Sequence, residues 1–196
     1  GILLTGQIWL KVPETISVKW NGKLKDGVMA KDISLATIGK IGHAGATYKA
    51  VEYAGDTIKA LPMDERLCIS NMAVEMGAKV GLIGADEKTV EFLKVHNVEA
   101  DPALLYQSDA DAVYCQTLEC NADTLVPMVA CPHLVDNVHP VTECIHEPIH
   151  QAYLGSCTGG RLHDLQAARQ ILKGKKIKEG VRPVSYTHLR AHETRR

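Results

Sequence analysis

The sequence predicts an α/β protein built as a three-layer α/β/α domain, and three observations carry that expectation. Short apolar or alternating runs of strand length recur between longer segments with apolar residues at helical spacing. The breaks between them fall at Gly, Asn and Asp, the residues that turn a chain. The composition suits a packed core: 45% of residues are apolar, and a charged share of 23% is too small for a disordered chain. With one Phe and two Trp, that core is mainly aliphatic.

The elements follow in order. Glu14 to Trp20 alternates as a strand and Asn21-Gly22 makes a turn. Ala30 to Ile41 has helical spacing with Asp32 in its first turn, and Gly42 to Gly45 ends it. Ala46 to Tyr53 reads as a strand closed by Gly55-Asp56, followed by a short helix from Thr57 to Ala60. Met63 to Met76 is a longer helix, with Gly77 at its C-terminal end. Val80 to Ile83 reads as a buried strand. Asp86 to Val95 is a helix with acids early and Lys94 late, matching the helix dipole. Ala112 to Leu118 and Val126 to Ala130 are strand-like. Cys131 to Pro148, rich in Pro and His, reads as a linker. Ala152 to Leu154 is a short strand, Gly160 to Lys173 a helix, and the Lys-rich Gly174 to Val181 leads toward another strand.

Several classes of function are disfavoured at once. A net charge of −1 points neither to nucleic acid nor to an anionic membrane surface. No apolar run approaches the roughly 18 residues of a membrane span, and no secretory signal pattern opens the chain. The first residue is not Met and the pattern starts midway, so an N-terminal part is expected to precede it. The cysteines, Cys68, Cys115, Cys120, Cys131, Cys144 and Cys157, are spread through apolar and strand-like segments rather than clustered. They read as reduced thiols of a cytoplasmic protein. Val184 to Arg196 has no apolar periodicity and resembles a translated sequencing adapter; it is taken as a non-native tail.

The most informative segment is Tyr153 to Leu165. An apolar run ends in the small-residue loop Gly155-Ser-Cys-Thr-Gly-Gly160, and a helix follows. A cysteine held at a helix N-terminus meets unpaired backbone N–H groups and the positive end of the dipole, which favour its thiolate. Such a thiolate serves as a nucleophile or as a metal ligand; alone, the pattern also suits a structural loop cysteine. Asn71 and Glu75, spaced i and i+4, share one helix face opposite the apolar stripe of Ile69, Met72, Ala73 and Met76. Without further context that pair reads as a solvated polar face.

Several stretches together resemble the aconitase superfamily, and within it the large subunits of 3-isopropylmalate dehydratase, homoaconitase and 2,3-dimethylmalate dehydratase. These are Trp9 to Ile16, Ala30 to Ile33, Ile38 to Gly42, Gly45 to Tyr53, Asn71 to Lys79, and Gly155 to Thr158 with Arg161, Asp164 and Leu165 behind it. The resemblance implies a fold of the aconitase iron–sulfur type. The division expected is the end of a preceding domain at 1–12, an α/β domain at 13–149, the start of a second similar domain at 150–183, and the tail at 184–196.

It also implies a hydro-lyase whose [4Fe–4S] cluster is held by three thiolates, leaving one iron open as a Lewis acid toward a small di- or tricarboxylate hydroxy acid. Cys157 matches the first cluster ligand. The other two ligands belong to a Cys-x-x-Cys pair expected beyond this chain. Asn71 and Glu75 match a pair beside the cluster: the carboxylate suited to hydrogen-bond water on the open iron, the amide to tune the cluster. The implied partner is a small subunit carrying the swivelling domain and supplying the base. The substrate implied is 3-isopropylmalate, in leucine biosynthesis.

The sequence departs from the family pattern at Gly159, where Asn is usual, and at Ser70, where Cys commonly precedes the Asn-Met pair. The family's upstream His and Asp motifs and its substrate-gripping Arg residues are absent from this stretch, so the fragment alone is expected to be inactive. Two readings of other classes compete. One is a cluster-free folding module. The other is a zinc-binding structural protein using Cys115, Cys120, Cys131, Cys144, His133, His139 and His146, although their spacings do not follow paired zinc-ligand forms. The basic run from Lys173 to Lys178 reads as a solvated face.

Overall fold

The computed structural model describes residues 1–144 and 147–185, with the side chain of Leu104 excepted. The linker residue His146 and residues 186–196 of the presumed tail lie outside the described residues.

A single exposed turn, α1 (Ile2–Thr5), precedes the first domain. The domain runs β1 (Thr15–Asn21), α2 (Ala30–Ile41), β2 (Ala50–Ala54), α3 (Asp56–Ala60), α4 (Met63–Met72), a 3₁₀ turn over Ala73–Met76, β3 (Val80–Ile83), α5 (Glu87–Val95) and β4 (Gln116–Asn121). The four strands form one parallel sheet in the order β3-β2-β1-β4. This is the expected α/β class: parallel strands need crossover segments, and helices supply them.

Register explains the core. Ile16 aligns with Val51 and Val18 with Tyr53 across β1–β2. All four are at most 1% exposed, and they meet Ile33 and Ile38 of α2 and Ile69 and Met72 of α4. Trp20, 2% exposed, donates its indole N–H to Thr37 Oγ1 at 3.2 Å. That hydroxyl in turn donates to Ile33 O at 2.7 Å, so both the indole N–H and the Thr37 hydroxyl are paired.

Two buried charges set the helices in place. Arg66, 3% exposed, forks onto Asp86 at 2.8 and 2.7 Å and donates to Lys59 O at 2.9 Å, joining α3, α4 and the N-cap of α5. Asp32 accepts from Met29 N at 2.8 Å and from Met128 N at 2.7 Å. Its carboxyl is pushed above the usual range because desolvation outweighs these hydrogen bonds.

The structure departs from the expected elements where tertiary contacts win over local pattern. Residues 46–49 form a turn, with Ala46 N bonded to Met76 O at 3.0 Å, so β2 starts only at Ala50. β3 is an edge strand rather than a buried one: Val80 and Leu82 are 40% and 43% exposed on the face away from α4. β4 begins four residues later than expected because Tyr114 turns its hydroxyl to Glu52 Oε2 (3.1 Å), and pairing with β1 starts at Gln116 opposite Ile16. β5 (Met128–Ala130) falls within the strand expected at Val126 to Ala130, and the segment read as a linker supplies its antiparallel partner, β6 (Val138–Pro140), the hairpin packing on α2. At three residues β6 is too short to show periodicity.

Beyond the hairpin, β7 (Gln151–Leu154), α6 (Leu162–Leu172) and β8 (Arg182–Ser185) make a parallel βαβ unit. The first two residues of the presumed tail, Val184 and Ser185, pair with Tyr153 and Leu154.

Replacing Asp86 by Ala leaves the Arg66 guanidinium buried and half-paired. Chemical denaturation is expected to show a loss of about 3 kcal/mol. The Arg66 contact holds the Asp86 carboxyl below the usual range. Its stabilisation is therefore complete above the ordinary carboxylate range and disappears as pH falls through the lowered value.

Candidate functional site

α4 carries the site. Its inner stripe is Ile69, Met72, Ala73 and Met76, all at most 3% exposed, as the sequence predicts. Asn71 is exposed and Glu75 half-buried on the opposite side. The helix does not run evenly to Met76. Residues 73–76 tighten into a 3₁₀ turn that Gly77 closes at φ 84°, so Asn71 and Glu75 straddle the change of pitch instead of sharing a regular α-turn.

Glu75 Oε2 is buried with no hydrogen-bond partner among the described residues, and so is the hydroxyl of Tyr53 on β2. Burial, with the Glu75 charge added, pushes the Tyr53 hydroxyl well above its ordinary pKa. The two groups feel each other electrostatically without being bonded.

The loop between β7 and α6 carries Cys157. Gly155 is buried, Ser156 adopts φ 74°, and Cys157 is exposed. A non-glycine residue at positive φ is strained, and surrounding contacts must hold it. Those contacts come from α4. Cys68 Sγ donates to Thr158 O at 3.4 Å. Arg161 Nη1 donates to Asp64 O at 2.6 Å, and its Nε lies 3.8 Å from Asp64 Oδ1. His163 Nε2 lies 3.9 Å from Glu65 Oε1, while Glu65 Oε2 accepts from Ala30 N at 3.0 Å. The cysteine loop is thus seated on the first two turns of α4, and Asn71 occupies the next turn.

One detail of the expected geometry is corrected. α6 begins at Leu162, five residues past Cys157, and the Asp164 carboxylate bonds the N-cap Arg161 N at 2.9 Å. Cys157 therefore lies four residues before the N-cap, outside the helix's first turn, and the dipole fades beyond that turn. At Gly159 a Cβ would lie 2.9 Å from Gly155 O, so a side chain there would require the loop backbone to shift.

The two cysteines at this junction differ in kind. Burial pushes the Cys68 thiol up to about 11, so it stays protonated and serves as a donor. Cys157 is exposed, and its thiol has no hydrogen-bond partner among the described residues. No hydrogen bond or ion pair joins Cys157 to Asn71 or Glu75 among the described residues. Nor does any group of three or more His, Cys, Asp or Glu side chains converge there as a metal site. Cys131 and Cys144 of the zinc candidates do meet, with Sγ atoms 3.0 Å apart. Sequence reasoning missed Cys68, Tyr53 and the Arg161–Asp64 contact. Cys68 lies three residues before Asn71 on the same helix, which was its one available signal.

A parallel α/β domain is followed by a second βαβ unit that carries an exposed cysteine on the loop between β7 and α6, and the family match agrees with this architecture. The chain belongs to the aconitase family (aconitate hydratase), whose model matches residues 1–188. It is 53% identical over 170 residues to a 3-isopropylmalate dehydratase large subunit 1 of Thermotoga maritima, covering 86% of this chain and 40% of that one. It is 50% identical over 175 residues to a 3-isopropylmalate dehydratase large subunit of Hydrogenobaculum sp., covering 89% and 41%. It is 48% identical over 176 residues to a probable methanogen homoaconitase large subunit of Methanosarcina mazei, covering 90% and 44%. The chain spans about two fifths of the length of these relatives.

Two substitutions test this geometry. Arg161→Ala is expected to cost about 1 kcal/mol or less in global stability while speeding amide exchange across 155–160, because it frees the loop from Asp64. Tyr53→Phe keeps the ring and removes a buried hydroxyl without a partner, so the melting temperature should hold or rise by a few degrees; a fall of more than about 1 kcal/mol would show that the hydroxyl is satisfied.

Proposed function

We propose that the complete protein is the large subunit of a [4Fe–4S] hydro-lyase that interconverts 3-isopropylmalate and 2-isopropylmalate by removing and re-adding water. The observation that carries this reading is family membership together with relatives of that name, over a stretch that includes both α4 and the Cys157 loop. The homoaconitase relative supports a second reading with the same chemistry and a longer acid as substrate.

The donor set suits the cluster in part. Cys157 is an exposed thiol on a loop anchored twice just beyond it, by Cys68 to Thr158 O and by Arg161 to Asp64. That is what one thiolate of a shared cluster needs: a fixed position and an unblocked sulfur. The two further thiolates belong to the rest of the protein. When bound, the cluster supplies an open iron as a Lewis acid for the substrate hydroxyl.

The chain's own groups do the remainder. Glu75, with a carboxylate oxygen free of partners, accepts or returns the proton of the water lost and regained. Asn71, one turn beyond the loop's seat on α4, presents its amide from the exposed face and orients what binds there. The relatives' title of large subunit supports a small-subunit partner that completes the site. A cytoplasmic location suits cysteines that are spread along the chain and free of disulfides among the described residues. No helix among the described residues is long and apolar enough to cross a membrane.

The test uses the full reading frame co-expressed with its small subunit and reconstituted with iron and sulfide. Cys157→Ser is expected to lose the visible cluster absorbance and all activity. Glu75→Gln should retain the absorbance while kcat falls about 100- to 10,000-fold. A Cys157→Ser protein with a full iron complement sinks the assignment, and a wild-type protein that takes up no iron favours the folding-module reading.

A further inference from the structure

We propose that Cys131 and Cys144 form a reversible disulfide, a redox-sensitive tie at the root of the connector that leads to the Cys157 loop. Their sulfurs lie 3.0 Å apart, and both side chains are half-buried, within reach of a small oxidant. Each cysteine is held by backbone bonds of its own. Cys131 N donates to Asn137 O at 2.8 Å, extending the β5–β6 ladder, and Cys144 N donates to Val141 O at 3.1 Å. Val141 N is bonded in turn to Pro127 O at 2.9 Å. The backbone therefore presents the two thiols to each other, and closing to the bond length of about 2.05 Å is a side-chain adjustment.

The chemistry balances with a small-molecule disulfide of the glutathione class as oxidant. One thiol of the pair, as thiolate, attacks one sulfur of the oxidant, giving a mixed disulfide and releasing one reduced thiol. The other then gives up its proton and displaces the second thiol, forming the Cys131–Cys144 bond. Overall two protein thiols are oxidised and one external disulfide is reduced to two thiols. Either thiol opens the exchange, because each sulfur is the other's nearest partner at 3.0 Å. The bond to Cys131 first, then burial, pushes the Cys144 thiol up to about 11.

The tie has a mechanical meaning. The hairpin is pinned to α2 by the Met128 N bond to Asp32 (2.7 Å) and by His43 Nδ1 on Asp136 (2.6 Å). Cys144 begins the connector that enters β7 at Gln151. A bond to Cys131 fixes that connector's origin on the first domain; the dithiol leaves it held by weaker contacts. This inference does not rest on the cluster reading.

The experiment incubates the folded chain with excess glutathione disulfide, alkylates the remaining thiols, and maps the peptides without reduction. The expected result is a Cys131–Cys144 linked peptide pair lacking two hydrogens, with alkylatable thiols falling from six to four and restored by dithiothreitol. Cys131→Ser should abolish every internal cross-link at Cys144. Full alkylation of both residues after oxidation, or glutathione adducts at either one with no internal bond, overturns the proposal; the wild-type map alone decides it if the variant fails to fold.

Discussion

The buried guanidinium of Arg66 is the constraint on which the rest of the arrangement depends. A charge that is 3% exposed has to find partners, and Arg66 finds a carboxylate fork on Asp86 and a carbonyl at Lys59. Those partners lie on either side of α4 in the sequence, so the helix is held in rotation and along its axis at once. With α4 so fixed, Glu65 reaches Ala30 N at the start of α2, Cys68 reaches Thr158 O, and Asp64 faces Arg161. A shift of one helical position would turn all three contacts away together. The interior hydrophobic contacts supply cohesion, but aliphatic side chains tolerate small slides that charged forks do not.

The buried carboxylates respond to acid in opposite senses. Asp86 is held below its ordinary pKa by Arg66, whereas Asp32 and Glu65 are held above theirs by desolvation, despite the backbone N–H groups they accept. The first gives up stability as pH falls; the other two cost less once protonated. Both raised carboxyls cap or approach the N-terminus of α2, where an unmet donor is also expensive. The fold accepts two mildly unfavourable charges there in exchange for joining α2 to the hairpin and to α4.

Much of this was legible in the residues. Helix α2 begins and ends where its spacing and Gly42 place it, and the α4 stripe of Ile69, Met72, Ala73 and Met76 is the one that packs. The cysteine loop stood out once its pattern of small residues, a thiol and a following helix was joined to the other matching stretches; alone it also suits a structural loop cysteine. What failed to show was set by distant partners. Val80 to Ile83 carries a run that suits a buried strand, and only the sheet order reveals it as an edge. The second hairpin strand, β6, is three residues long, below the length at which alternation can be seen. The tightening of α4 after Met72 depends on where Gly77 must turn, and the meeting of Cys131 with Cys144 depends on a hairpin hidden inside a Pro-rich stretch.

The strand order also dictates a history of assembly. β1, β2 and β3 succeed one another along the chain and lie side by side, each joined to the next by its own helices. The fourth strand closes the opposite edge of β1 by pairing Gln116 with Ile16, a contact across a hundred residues of chain. Long closures are slow because the loop entropy must be met before the pairing is gained. During synthesis the first three strands can therefore order themselves while β1 still presents an unsatisfied ladder to its surroundings. That exposed edge is a window for mispairing with other chains, and it shuts only when Gln116 to Asn121 has left the ribosome and found its place.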